Sequence, residues 1–223
     1  MISTESEAGS PASLPASGEQ PTRRSGAITG WVAGALVLGL LLGAALVFVL
    51  TRPNPPGDDS AEAGFVRDMS THHAQAVEMA LVAHAATAND EIESLSSDIA
   101  ITQQGQIGIM LAWLRDWQLG STSSQPPMAW MPNSAGSVQN GLMPGMASQQ
   151  QLTELRKATG TAQDIMFLNL MRQHHLGGVH MAQEILNLSD DEDVTWLAQT
   201  MVASQQNEIS AIQALLKSLG QNG

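Results

Sequence analysis

Residues 65–84 and 167–186 of this chain are two versions of one segment. FVRDMSTHHAQAVEMALVAH lies over FLNLMRQHHLGGVHMAQEIL at an offset of 102, and seven of the twenty positions are identical: Phe65/Phe167, Met69/Met171, His72/His174, His73/His175, Val77/Val179, Met79/Met181 and Ala80/Ala182. The same offset continues without a gap over residues 92–114 and 194–216, where Leu95/Leu197, Gln103/Gln205, Gln104/Gln206, Ile107/Ile209, Ala112/Ala214 and Leu114/Leu216 match. A repeat that keeps two long stretches and the turn between them at constant length restricts the fold to a duplicated supersecondary unit.

That unit reads as a helical hairpin. Phe65, Met69, His72, Ala76, Met79 and Ala83 recur at spacings of four and three, the apolar stripe of a bundle helix. Asn89-Asp90 breaks and caps, and a second helix is expected to run to about Gln118 before Gly120 stops it. In the second repeat Thr161 with Asp164 reads as a capping box, and its first helix should end near Asn187. Ser189 is the expected cap of the last helix, with Asp190, Asp191, Glu192 and Asp193 favourable at its N-terminal dipole and an end near Leu219. Strand signals are absent. The expectation is an all-α, antiparallel four-helix bundle of two repeated hairpins, residues 61–119 and 161–219, with helices about 37 Å long. Between them, residues 120–160 form a Met-rich connection. It holds the pairs Met128/Met131 and Met143/Met146, then a short helix over 149–158 capped by Ser148.

Ahead of the bundle lies a different kind of segment. Residues 28–50 are apolar except for Thr29, which matches the roughly 20 residues a bilayer core requires. The run exceeds the ~7–15 apolar residues of a cleaved signal sequence, and no A-x-A site follows it. It is read as an N-terminal transmembrane helix. Arg23 and Arg24 precede it, and Arg52 followed by Asp58, Asp59 and Glu62 comes after. The basic excess places a disordered tail, 1–27, in the cytoplasm and residues 51–223 outside. Residues 51–60 read as a stiff linker. Gly26, Gly30 and Gly34, like Gly39 and Gly43, are spaced by four, a pattern that suits helix–helix contact and a homo-oligomer. With 21 acidic against 9 basic residues, the net charge of −12 argues against a nucleic-acid partner. It favours cations instead.

Both repeats carry Met, His, His and Met on their first helix. Met69 stands three before His72 and four before His73, so sulfur and imidazoles share one turn, and Met79 follows two turns on. Met171, His174, His175 and Met181 repeat this, and His180 replaces Glu78. Nine donor side chains could therefore gather about a pseudo-twofold axis. Thioether and imidazole without thiolate select a soft cation, Cu(I) or Ag(I), and the chain has no Cys. The competing explanations are structural. Met at helical spacing is commonly core filler. Adjacent histidines point about 100° apart, so one of each pair at most is expected to face the core fully. His84, whose counterpart is Leu186, reads as a surface residue, and Glu78 and Glu184 as solvated charges. A di-iron centre would need Glu-x-x-His, and no Glu here has His three residues later. No nucleophile–base set or phosphate loop supports an enzyme.

On the pieces FVRDMSTHHAQAVEMA, MPGM at 143–146 and FLNLMRQHHLGGVHMAQ, the chain resembles the domain of unknown function 305 family over about residues 61–219. The resemblance implies a ferritin-like four-helix fold. It also implies, as for some exported members, binding of copper and silver through His and Met in metal resistance. Carried onto this chain it implicates His72, His73, Met69, Met79, Met143, Met146, His174, His175, Met171, His180 and Met181 as metal ligands. The apolar N-terminal span is a departure from the soluble copper-binding members. The expected function is a membrane-anchored, extracytoplasmic, non-catalytic protein that sequesters or transfers Cu(I). The alternative is a helical interaction or sensor module with a structural His–Met core and an envelope protein as partner.

Overall fold

The computed structural model of the chain describes residues 25–50, 55–132 and 134–221. The tail expected over 1–27 lies outside the described residues as far as residue 24, as do linker residues 51–54. The chain divides into two compact units, residues 1–54 and 55–223.

The first unit is one helix, α1 (Ser25–Leu50). Its stretch Gly30–Val49 has a mean hydropathy of 2.7 and exposes every side chain, so it is long and apolar enough to cross a membrane. A Cβ built at Gly30, Gly34, Gly39 or Gly43 would meet nothing within 4 Å, so the small-residue stripe is an open face.

The second unit is all-helical: α2 (Ala61–Ala86), α3 (Asp90–Asp116), α4 (Gln149–Lys157), α5 (Gly160–Leu188) and α6 (Glu192–Ser218). Among the described residues the only β pairing is an isolated bridge between Gln139 and Leu142. Capping explains the boundaries. Ser60 Oγ accepts from the Ala63 amide and starts α2. Asn89 starts α3, and Asp191, its counterpart at the offset of 102, starts α6 by accepting from the Asp193 and Val194 amides. Ser148 and Gln151 make the reciprocal capping box of α4.

Two expected caps are corrected. Ser189 does not cap α6; it closes α5, and its hydroxyl accepts from the amide of Asp191, the residue immediately before the helix begins. The shorter reach of Asp191 to two α6 amides wins that position. Thr161 lies inside α5, whose N-cap is Thr159, with no side-chain cap bond, so Thr161 and Asp164 form no capping box.

Three-residue turns fold α2 against α3 and α5 against α6, and α2 packs on α5 to join the hairpins into a bundle. Two apolar clusters show that α2 and α5 run antiparallel. One gathers Phe65, Val66 and Met69 from the start of α2 with Met181 and Ile185 from the end of α5. The other gathers Met79, Ala80 and Ala83 with Phe167, Leu168 and Met171. The connecting segment fills in from outside: Met128, Met131 and Met143 join the first cluster, and Leu152 and Leu155 of α4 join the second. The histidine doublets occupy the level between the clusters.

Candidate metal centre

Every one of the four doublet imidazoles is buried, at 0–1% exposure. This corrects the expectation that at most one ring of each pair would face the core fully. A helix that packs on a hairpin mate and on a second hairpin buries two faces, so rings 100° apart can both be inside. His72 faces His174 across the α2–α5 contact, with ring centroids 3.8 Å apart and planes tilted by 34°. His73 and His175 turn instead toward their hairpin mates: His73 Nε2 donates to Gln106 Oε1 of α3 at 2.8 Å, and His175 Nε2 to Glu208 Oε2 of α6 at 2.5 Å. Gln106 and Glu208 stand at the same place in the two repeats, each 33 residues after its histidine. Reading the sequence missed both. The signal was present, since the offset of 102 that pairs the histidines also pairs these two positions.

The connecting segment covers the layer. His72 Nε2 donates to the Pro144 carbonyl at 2.9 Å. Gln75 grips Ala147 from both sides, its Nε2 donating to the carbonyl at 2.9 Å and its Oε1 accepting from the amide at 2.7 Å. Gly177 leaves room for the Pro144 carbonyl, which a Cβ at that position would overlap. Gly145, at a φ of +77°, backs onto the Gln173 carbonyl. Nearer the start of α2, Asp68 accepts from the Met128 amide at 2.7 Å and Trp130 Nε1 at 2.9 Å, and burial raises its carboxyl above its ordinary value. Arg67 ties the same region to the Gly120 carbonyl and to Asp58.

The partners fix the tautomers. A carbonyl can only accept, so Nε2 of His72 carries its hydrogen, and the bonds to Gln106 Oε1 and to the Glu208 carboxylate place a hydrogen on Nε2 of His73 and His175. That leaves Nδ1 of His72, His73 and His175, together with Nε2 of His174, buried and without a hydrogen-bond partner. Burial holds His72, His73 and His174 neutral. It lowers His72 to about 4, against the weaker opposing effect of the Pro144 bond. It lowers His73 to about 3, reinforced by the neighbouring His72, and carries His174 well below the usual range, reinforced by the other imidazoles. Unpartnered lone pairs in a dry interior cost about 1–3 kcal/mol each, and native proteins rarely keep them without a use. They are also the atoms a cation would take.

The other expected ligands divide. Met69, Met79, Met171 and Met181 are fully buried, Met69 and Met181 in one apolar cluster and Met79 and Met171 in the other, so thioethers flank the imidazole layer on both sides. Met143 is 5% exposed and Met146 half-buried against the Met69 cluster. His180 is not brought to the layer: it is exposed, on the outer face of α5. His84 is exposed, as expected, with Nδ1 donating to the Glu93 carbonyl. Glu78 pairs with Arg156 and ties α4 to α2. Among the described residues no three His, Cys, Asp or Glu side chains converge as a ready-made metal cage. A site here must therefore combine imidazole with thioether. That donor set suits a soft ion of low coordination number better than Zn(II) or Ni(II).

Comparison with known proteins bears on the same stretch. Residues 62–216 match the family model described as "Domain of unknown function (DUF305)". A crystal structure of a DUF305 protein from Streptomyces coelicolor, described as a candidate secreted protein, is 40% identical, with a TM-score of 0.69 over 74% of this chain and 98% of that one. A DUF305 fragment from Deinococcus radiodurans is 28% identical, with a TM-score of 0.60 over 74% of this chain and 99% of the fragment. CopM in its Cu(I)-bound form shares the fold at 21% identity, with a TM-score of 0.56 over 71% of this chain and 96% of CopM. No curated protein matches.

Proposed function

The chain belongs to the DUF305 family, and on that footing we propose that it is a membrane-anchored copper-binding protein, with α1 in the bilayer and the bundle outside the cell. The bundle sequesters or hands over Cu(I), and by the same chemistry Ag(I), without catalytic turnover. The observation that carries this reading is the buried layer of four imidazoles, each with one ring nitrogen left unpartnered, between two groups of buried thioethers. CopM, a structural neighbour, is described in both Cu(I)-bound and Cu(II)-bound forms, which supports copper as the metal. His72, His174, His73 and His175 would supply nitrogen, and Met69, Met171, Met79, Met181 and the loop residues Met143 and Met146 would supply sulfur. In this reading the segment bonded to His72 through Pro144 is the cover that an ion would pass on entering or leaving.

The test is Cu(I) loading of the full chain in detergent, under reductant, against a competing chromogenic chelator. The unsubstituted chain should retain copper, and the His72→Ala/His73→Ala/His174→Ala/His175→Ala variant should lose it. Equal, negligible copper in both defeats the reading. A second reading has its own support: three of the four imidazoles also hold the structure together through Pro144, Gln106 and Glu208. In that reading the layer is structural and the bundle is a docking or sensing module for an envelope protein. It predicts that the same variant fails to fold in cells starved of copper, before any metal is present.

A further inference from the structure

The two imidazole doublets are copies, yet the groups behind them differ in charge. Behind His73 stands the neutral Gln106; behind His175, at the equivalent place, stands Glu208, whose side chain is only 16% exposed. Among the described residues, Glu208 is the one charged group bonded to any of the four imidazoles. The layer lies between two apolar clusters, so a cation placed there sheds water and needs compensating charge nearby. One carboxylate offsets one positive charge. A carboxylate holding the far nitrogen of a histidine also orients the ring and strengthens its free nitrogen as a donor, and such partners commonly account for about 10–100-fold in metal affinity. In His175 that free nitrogen is Nδ1, buried and unpartnered.

We propose that Glu208 makes the two halves of the site unequal, so that the layer takes a single monovalent soft cation on the second-repeat side and discriminates against divalent ions. This rests on the copper-binding reading and adds charge selection to it. A monovalent ion together with Glu208 leaves the layer neutral; a divalent ion leaves one uncompensated positive charge in a dry interior. Gln106 is what keeps a second charge out. Glu208 acts through His175 and is a positioning and charge-setting residue, not a ligand.

The experiment titrates the full chain in detergent with Ag(I) and, separately, Zn(II), both free of redox chemistry, and compares Glu208→Gln with Gln106→Glu. Glu208→Gln should weaken Ag(I) binding by about tenfold or more. Gln106→Glu, which restores the symmetry, should raise Zn(II) affinity relative to Ag(I) by about tenfold or more. In ¹⁵N spectra of the histidine rings, Ag(I) should move His175 Nδ1 in the unsubstituted chain while Nε2 keeps its hydrogen. That signature identifies His175 as the donor, and the change in Ag(I) and Zn(II) affinity on substitution separates a charge-setting Glu208 from a merely structural one. Should one variant fail to fold, the other and the ring spectra decide. Ag(I) binding with the Zn(II)-to-Ag(I) ratio within threefold of the parent in both variants, or with His175 Nδ1 unmoved, overturns the proposal and leaves the copper reading standing. Failure of the unsubstituted chain to bind Ag(I) or Cu(I) overturns both.

Discussion

The two hairpins agree in what they bury and differ in what they hold. The imidazoles and the flanking methionines recur at every equivalent place. Three of the substitutions that separate α2 from α5 fall where the connecting segment touches. Arg67, Asp68 and Gln75 bind residues 120, 128, 130 and 147, whereas their counterparts are Asn169, Leu170 and Gly177. At the last pair the roles are complementary: Gln75 grips the loop with its side chain, and Gly177 admits it by having none. A twofold bundle joined by a single connector cannot treat both halves alike, because the connector crosses one face only. Conserved donors on diverged supports are what such a constraint produces.

The largest effect should come from what the halves share. His72 and His73 are held at about 4 and about 3, and His174 is also lowered, all below the unfolded value near 6.5. The folded state therefore binds fewer protons, so their contribution is complete above pH 6.5 and falls as pH drops toward those lower values. Urea melts of the metal-free chain should lose about 2 kcal/mol each for His72 and His73 between pH 6.5 and pH 5. A flat profile would mean that the rings are not buried neutral.

The loop-holding positions come next. Gly177→Ala drives a methyl group into the Pro144 carbonyl and should cost about 2–3 kcal/mol. Gln75→Ala, which removes two hydrogen bonds at the equivalent place, should cost about 1–2 kcal/mol. Denaturation of both variants would show whether admitting the loop matters more than gripping it; the reverse order would place the loop away from α5. Asp68→Ala leaves the Met128 amide and Trp130 Nε1 without their acceptor and should cost about 1–2 kcal/mol, with Trp fluorescence shifted to the red. The smallest effect is expected at Arg156→Ala, which removes the exposed pair with Glu78 and should change stability by less than about 0.5 kcal/mol.

The fold was legible because the repeat constrains it twice. Each helix is stated two times, and Asn89 and Asp191 mark the same turn in both copies. The part of the site on α2 and α5 was legible for the same reason. Three things were not. That both rings of a doublet are buried depends on which neighbours cover a helix, and spacing along that helix does not reveal it. Gln106 and Glu208 lie on the mates, 33 residues from their histidines, and acquire meaning only once the hairpin turn sets the register. His180 resembled an added donor because it stands where the first repeat has Glu78. One position from Met181 is 100° of rotation, enough to carry it from the buried stripe to solvent.

The imidazole nitrogens left unpartnered inside the bundle, together with the thioethers beside them, are the proposed copper donors. X-ray absorption at the copper edge of the Cu(I)-loaded full chain tests this assignment most directly. Copper held there should be low-coordinate, with both nitrogen and sulfur scatterers, and the imidazole signature should disappear in the four-histidine variant. A sulfur-only shell, or a spectrum unchanged when all four histidines are removed, would contradict it.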